Sequence, residues 1–145
     1  MNRFDSIPAQ LRRNFVALIS LVVAITSLGY NTWRNEASEY NRNQRLISIE
    51  VLRNLSDLQE VVFYIAWEKD REVRGNPRTG WVHVLSVRDL SQLLDGDVST
   101  SAQQLLDTWE TSWRELAPGT SNYDELIAAL EAVRQDTHDL ISDLD

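Results

Sequence analysis

The sequence predicts an all-α protein: an N-terminal transmembrane helix continues into a long helix, which packs with three shorter helices as an antiparallel four-helix bundle. Three observations lead there. Residues 15–33, FVALISLVVAITSLGYNTW, carry no charge. From Leu46 onward apolar residues recur at spacings of three and four, the period of a helix with one buried face. Between these stripes lie clusters of Gly, Pro and Asp, which interrupt helices. The organisation that follows is a short cytoplasmic tail over 1–14, a transmembrane signal anchor over 15–33, a helical stalk over 34–45 and a periplasmic bundle over 46–145.

The uncharged run is bounded by Arg12 and Arg13 on one side and Arg34 on the other. Nineteen helical residues at ~1.5 Å each span about 28 Å, close to the roughly 30 Å hydrocarbon core of a bilayer. Phe15 marks one membrane interface, and Tyr30 and Trp33 mark the other, a depth that amphipathic rings favour. The competing reading is a cleaved secretory signal, with Ser27, Leu28 and Gly29 as a small-x-small site. No turn or breaker follows Gly29 before a strongly helical stretch, which favours the uncleaved anchor. Arg3, Arg12 and Arg13 before the run balance Arg34, Arg42 and Arg45 after it. The short tail and its single acid, Asp5, keep the N-terminus in the cytoplasm and send the C-terminal part to the periplasm of a bacterial inner membrane.

After Trp33, RNEASEYNRNQR is polar on every face but free of Gly and Pro, as a solvated helix would be. The stripe Ile47, Val51, Leu55, Leu58, Val62 and Ile65 then predicts that one helix reaches about Asp70. KDREVRGNPRTG ends it, with Gly75, Pro77 and Gly80 as breakers and Thr79 as a cap for the next segment. That segment, WVHVLSVRDLSQLL, is helical in its second half and stops at Asp95, Gly96 and Asp97. A third helix opens with Thr100 and Gln103 in capping-box spacing and carries Leu105, Leu106, Trp109, Trp113 and Leu116 on one face. Pro118 and Gly119 break it. A fourth starts at Asn122 and carries Leu126, Leu130, Val133 and Leu140. The alternative fold is α+β, because residues 61–67 (VVFYIAW) and 81–87 (WVHVLSV) are rich in β-branched and aromatic side chains and are able to pair as a hairpin.

Charge narrows the function. The net charge is -8, and residues 95–145 hold two basic and twelve acidic side chains. Such a surface repels a nucleic-acid backbone, which is bound through clustered cations. The chain has no cysteine, so disulfides, thiolate chemistry and cysteine zinc sites are excluded. DGDVS places Asp95, Asp97 and Ser99 at the opening spacing of a calcium loop. The expected glycine is Thr100, however, and the expected glutamate is Leu106. His83 and His138 have no partner at metal-ligand spacing. No nucleophile elbow, phosphate loop or Glu-x-x-His element is present, so no catalytic residue, metal or other cofactor is expected.

What remains is binding. Trp109 and Trp113, four apart, belong to the core. Trp67 and Trp81 flank the loop that holds Lys69, Arg71, Arg74 and Arg78, and Trp and Arg are the residue types enriched at binding hot spots. These six form the expected partner surface, and Arg12, Arg13, Phe15, Tyr30, Trp33 and Arg34 form the expected membrane interface. The expected function is a binding or scaffolding accessory subunit of an envelope membrane complex, with the lipid bilayer and a protein as partners and with a homo-oligomer compatible. The alternative is a periplasmic four-helix sensor domain that binds a small ligand and signals through a partner. The layout is similar to the periplasmic region of chemoreceptors and sensor kinases, a likeness of architecture and not of motif.

Overall fold

The computed structural model describes residues 7–68 and 71–144, with side chains from Asn14 onward. Among these residues every regular element is helical. Helix α1 spans Ile7–Phe63. It is followed by a π-helical turn, Tyr64–Glu68. Helices α2, α3 and α4 span Pro77–Ser91, Val98–Ser112 and Ser121–Asp143. The chain divides into two compact units, one up to Tyr40 and one from Asn41.

In the first unit every side chain from Asn14 to Tyr40 is exposed, from Phe15 at 63% to Trp33 at 65%. The two hydroxyls of Ser20 and Thr26 turn back onto the helix, donating to the carbonyls of Val16 and Val22 at 2.8 Å each. Their donors are therefore satisfied within the helix itself.

In the second unit four helices pack against one another around a single apolar cluster. Helix α1 contributes Val51, Leu55, Leu58 and Val62, all fully buried at the helical spacing read from the sequence. Helix α2 adds Val84 and Val87, α3 adds Val98, Ala102, Leu105 and Trp109, and α4 adds Leu126, Leu130 and Val133. Polar contacts fix the longitudinal register. The buried Gln44 amide donates to the Leu93 carbonyl and accepts from the Asp95 N–H, each at 3.1 Å. Asn54 meets His83 at 3.2 Å, and Arg134 donates to Gln59 at 2.7 Å. Near the end of α4, Asn41 donates to the Leu144 carbonyl at 3.3 Å.

Several sequence expectations are corrected by the local chemistry. The hairpin over 61–67 and 81–87 is replaced by helix: residues 61–63 finish α1, 64–68 form the π turn and 81–87 lie inside α2. Burial at helical period (Val61, Val62, Ile65; Val84, Val87) outweighs the local preference of branched side chains for strands. Helix α2 is capped by Asn76, whose side chain accepts from the Arg78 N–H at 2.9 Å, and not by Thr79. Pro77 decides this, since at the first helical position its missing N–H costs nothing. Helix α3 starts after Asp97 instead of Thr100, with no side-chain cap bond. Helix α4 starts at Ser121, one residue early, because Thr120 caps it through the Tyr123 N–H.

Trp109 is the largest fully buried side chain. Its ring lies over Gly80 so closely that a Cβ there would sit 2.3 Å from the ring. Trp81 meets the same ring edge-on, with centroids 6.3 Å apart. The indole Nε1 finds no acceptor among the described residues. Shape, not hydrogen bonding, holds this side chain in place. A Gly80→Ala substitution should therefore destabilise the protein by about 1–3 kcal/mol through overpacking. Thermal unfolding of the full chain in detergent, followed by near-ultraviolet circular dichroism, should show a Tm lowered by several degrees; an unchanged Tm would mean that α2 moves away freely.

Candidate functional site

The loop end of the second unit is organised by the widened turn that closes α1. An i→i+5 turn inserts slack into the helix, and such turns often mark positions where a side chain is re-aimed. Here Ile65 and Ala66 point into the core. Phe63 and Trp67 remain outside, stacked at 6.4 Å with an interplanar angle of 23°. They are 47% and 57% exposed, a large apolar area for water to face. Tyr64 packs edge-on against Phe63 at 5.7 Å. Trp67 also donates through Nε1 to the Tyr123 hydroxyl at 3.4 Å, which ties the exposed ring to α4.

The arginines of the following loop are held by this aromatic frame. Arg74 donates to the Tyr64 hydroxyl at 2.6 Å and lies 5.1 Å from the ring centroid. That hydrogen bond raises the guanidinium pKa above the ordinary arginine value. Arg71 donates to the Arg114 carbonyl at 3.0 Å, and Arg114 in turn stacks over Trp113 at 4.5 Å. Val73, between the two loop arginines, is 76% exposed.

Of the six residues expected to form a partner surface, Trp67, Arg71, Arg74 and Arg78 are exposed. Lys69 lies outside the described residues. Trp81 is half-buried, and its ring contact is Trp109, whereas that of Trp67 is Phe63. The two tryptophans thus serve different neighbours. Phe63, Tyr64 and Arg114 join the surface although the sequence reading did not single them out as site residues. The i, i+4 spacing of Phe63 and Trp67 was a readable signal; the reach of Arg74 back to Tyr64 was not.

Of the membrane-interface set, Phe15, Tyr30, Trp33 and Arg34 are exposed on α1. Tyr30 and Trp33 lie 6.2 Å apart as a tilted pair. Arg12 and Arg13 fall within the helix, their side chains outside the described set. Helix α1 is long and apolar enough to cross a membrane, by length and composition.

Two recesses lie on the second unit. One, of about 530 Å³, is an open groove between α3 and α4 bordered by Gln104, Asp107, Glu125, Ala128 and Ala132. The other, of about 170 Å³, is bordered by Asp97, Asp136, Asp139 and Asp143. No group of His, Asp and Glu among the described residues has the geometry of a metal site. Comparison with known proteins finds no matching family model, no matching curated protein and no matching solved structure.

Exposure separates the tryptophans energetically. Trp67→Ala should lower the unfolding free energy by no more than about 1 kcal/mol, the loss of one exposed ring stack and one long hydrogen bond. Trp109→Ala should lower it by about 3–5 kcal/mol. Denaturant titration of both variants checks this, and equal losses would show that Trp67 supports the core.

Proposed function

We propose that this chain is a single-pass membrane protein of the bacterial inner membrane, with its N-terminus cytoplasmic and its second unit periplasmic. It acts there as a binding or scaffolding accessory subunit of a membrane complex. The observation that carries the anchor is the uninterrupted exposure of the apolar side chains over 15–33. Nineteen uncharged residues without an internal partner need a solvent of their own kind, and the length suits a bilayer. The inward-bonded Ser20 and Thr26 hydroxyls are consistent with that solvent.

The four packed helices are read as an antiparallel bundle. Contacts between α1 and the α2 side pair Gln44 with Leu93 and Asn54 with His83, so one number rises as the other falls. Contacts with α4 follow the same rule: Asn41 with Leu144, Gln59 with Arg134, Trp67 with Tyr123. Residues 34–45 would then be a helical stalk and 46–145 the periplasmic bundle. The partner surface is the aromatic and arginine frame of Phe63, Trp67, Arg71 and Arg74. A rigid ring pair beside oriented guanidinium groups is the composition of a protein-binding hot spot.

Affinity capture of the full-length, C-terminally tagged protein from detergent-solubilised native membranes, with mass spectrometry of bait and partners, tests both halves. The expected result is an intact peptide containing residues 15–33 together with a stoichiometric membrane protein that is lost from the Trp67→Ala, Arg74→Ala double variant. Bait that begins at Tyr30 and arrives alone would sink the anchored reading and direct attention to a secreted bundle with a small-molecule ligand.

A further inference from the structure

The arginines of the second unit do not all find a carboxylate. Residues 41–145 hold nineteen acidic and ten basic side chains, so acids are in excess around any cation there. Arg53, Arg88 and Arg134 each pair with one, on Glu50, Asp89 and Glu131. Arg71, Arg78 and Arg114, at the loop end, have none within ion-pair distance among the described residues. Two of these three are nonetheless held in place. Arg71 donates to the Arg114 carbonyl at 3.0 Å, and the Arg114 guanidinium lies 4.5 Å from the centre of the Trp113 ring. A guanidinium carries five donors in a rigid fork that matches a carboxylate, and one bond to a carbonyl uses only one of them.

These cations border the exposed ring stack of Phe63 and Trp67. Tyr64, edge-on to Phe63, receives Arg74, three residues beyond Arg71, and Val73 between the two arginines is 76% exposed. The surface thus offers rings to an apolar side chain and, at its edge, positive charge that the chain itself does not offset. We infer that its occupant is a short protein segment in which carboxylates flank an apolar or aromatic side chain, the apolar group lying on Phe63 and Trp67 and the carboxylates taking Arg71 and Arg114. The inference rests on the protein-binding reading above and adds the chemistry of the partner. Charge complementarity selects it, since clustered arginines are the usual receptors of acidic segments. A broad polyanion fits poorly. Glu68, Glu72 and Glu115 are exposed and adjoin Trp67, Arg71 and Arg114 in sequence, so a layer of lipid phosphates or a nucleic-acid backbone would press like charges together. Separate carboxylates on one segment reach the arginines and miss the acids. The Trp67 ring is already tied to Tyr123, so docking orders little that is not ordered beforehand.

The full-length protein in phosphatidylcholine nanodiscs would be panned against a display library of random short peptides, and the enriched peptides synthesised and titrated by fluorescence anisotropy. The expected consensus has Asp or Glu on both sides of Trp, Phe or Leu. Its affinity should fall about tenfold or more with Arg71→Ala and with Arg114→Ala, each the loss of a charge-assisted hydrogen bond. Trp67→Ala should weaken it as well, and so should Asn and Gln in place of the peptide's acids. Joint Arg71→Glu and Arg114→Glu substitution should turn the selection toward peptides bearing Lys and Arg, a reversal that a merely loosened loop would not produce. No enriched sequence, an enriched sequence without acids, or acidic peptides that bind the arginine variants as tightly as the parent would overturn the inference. Co-sedimentation of the nanodiscs with vesicles of phosphatidylglycerol but not of phosphatidylcholine, abolished by the same variants, would mean a lipid surface and overturn it too. The affinity capture described above separates the two readings. A captured partner with no acidic peptide enriched keeps the protein-binding surface and removes the carboxylate chemistry; neither a partner nor a peptide removes both; acidic peptides without a captured partner keep the chemistry and remove the membrane-complex reading.

Discussion

The approach of Trp109 to Gly80 is the constraint on which the packing of the second unit depends. An indole is the largest side chain available to a core, and here it is fully enclosed. It fits because the helix opposite offers bare backbone at the point of contact. That contact fixes how near α2 and α3 approach, and Trp81, the next residue on α2, closes the ring's edge. The buried valines and leucines around them are smaller and more interchangeable, so they fill the remaining space but do not dictate it. An indole N–H without an acceptor costs about 1–3 kcal/mol on general grounds, and the ring's apolar surface offsets it.

Apolar stripes alone leave a bundle free to slide by a turn, since one leucine serves nearly as well as the next. The second unit prevents this with a few directional contacts. Gln44 uses both ends of its amide on the α2–α3 connection, as donor to Leu93 and acceptor from Asp95. Asn54 with His83 and Gln59 with Arg134 place further marks along α1. Each contributes only about 0.5–1.5 kcal/mol, yet a shift in register would break all of them together and strand buried polar atoms.

The helices were legible because their stripes were long: Val51, Leu55, Leu58 and Val62 carry the period of α1, and Leu126, Leu130 and Val133 carry that of α4, and burial follows the period. The helix starts were less legible. Asn76 and Thr79 are both capable caps, and only the proline between them decides. At α3 the chain forms no side-chain cap bond at all, so the capping-box spacing of Thr100 and Gln103 misled. The π turn had no signal, since no residue type encodes it. For the loop surface, composition identified Trp67, Arg71 and Arg74, but Trp81 follows the glycine beneath Trp109 and is drawn partly inward. The hold of Arg74 on Tyr64 depends on a loop conformation that the nine intervening residues do not specify.

The division of the second unit into a side with exposed aliphatic and aromatic groups and a side rich in carboxylates has a colloidal consequence. At low ionic strength the carboxylates hold copies apart at a range of tens of ångströms. Added salt shortens that range while strengthening the aversion of water to Leu46, Ile49, Phe63 and Trp67, most of all with sulfate or phosphate. Most charged proteins are dispersed by moderate salt when ion pairs drive their association. This one would respond in the opposite sense, its copies drawn together as the medium becomes more saline.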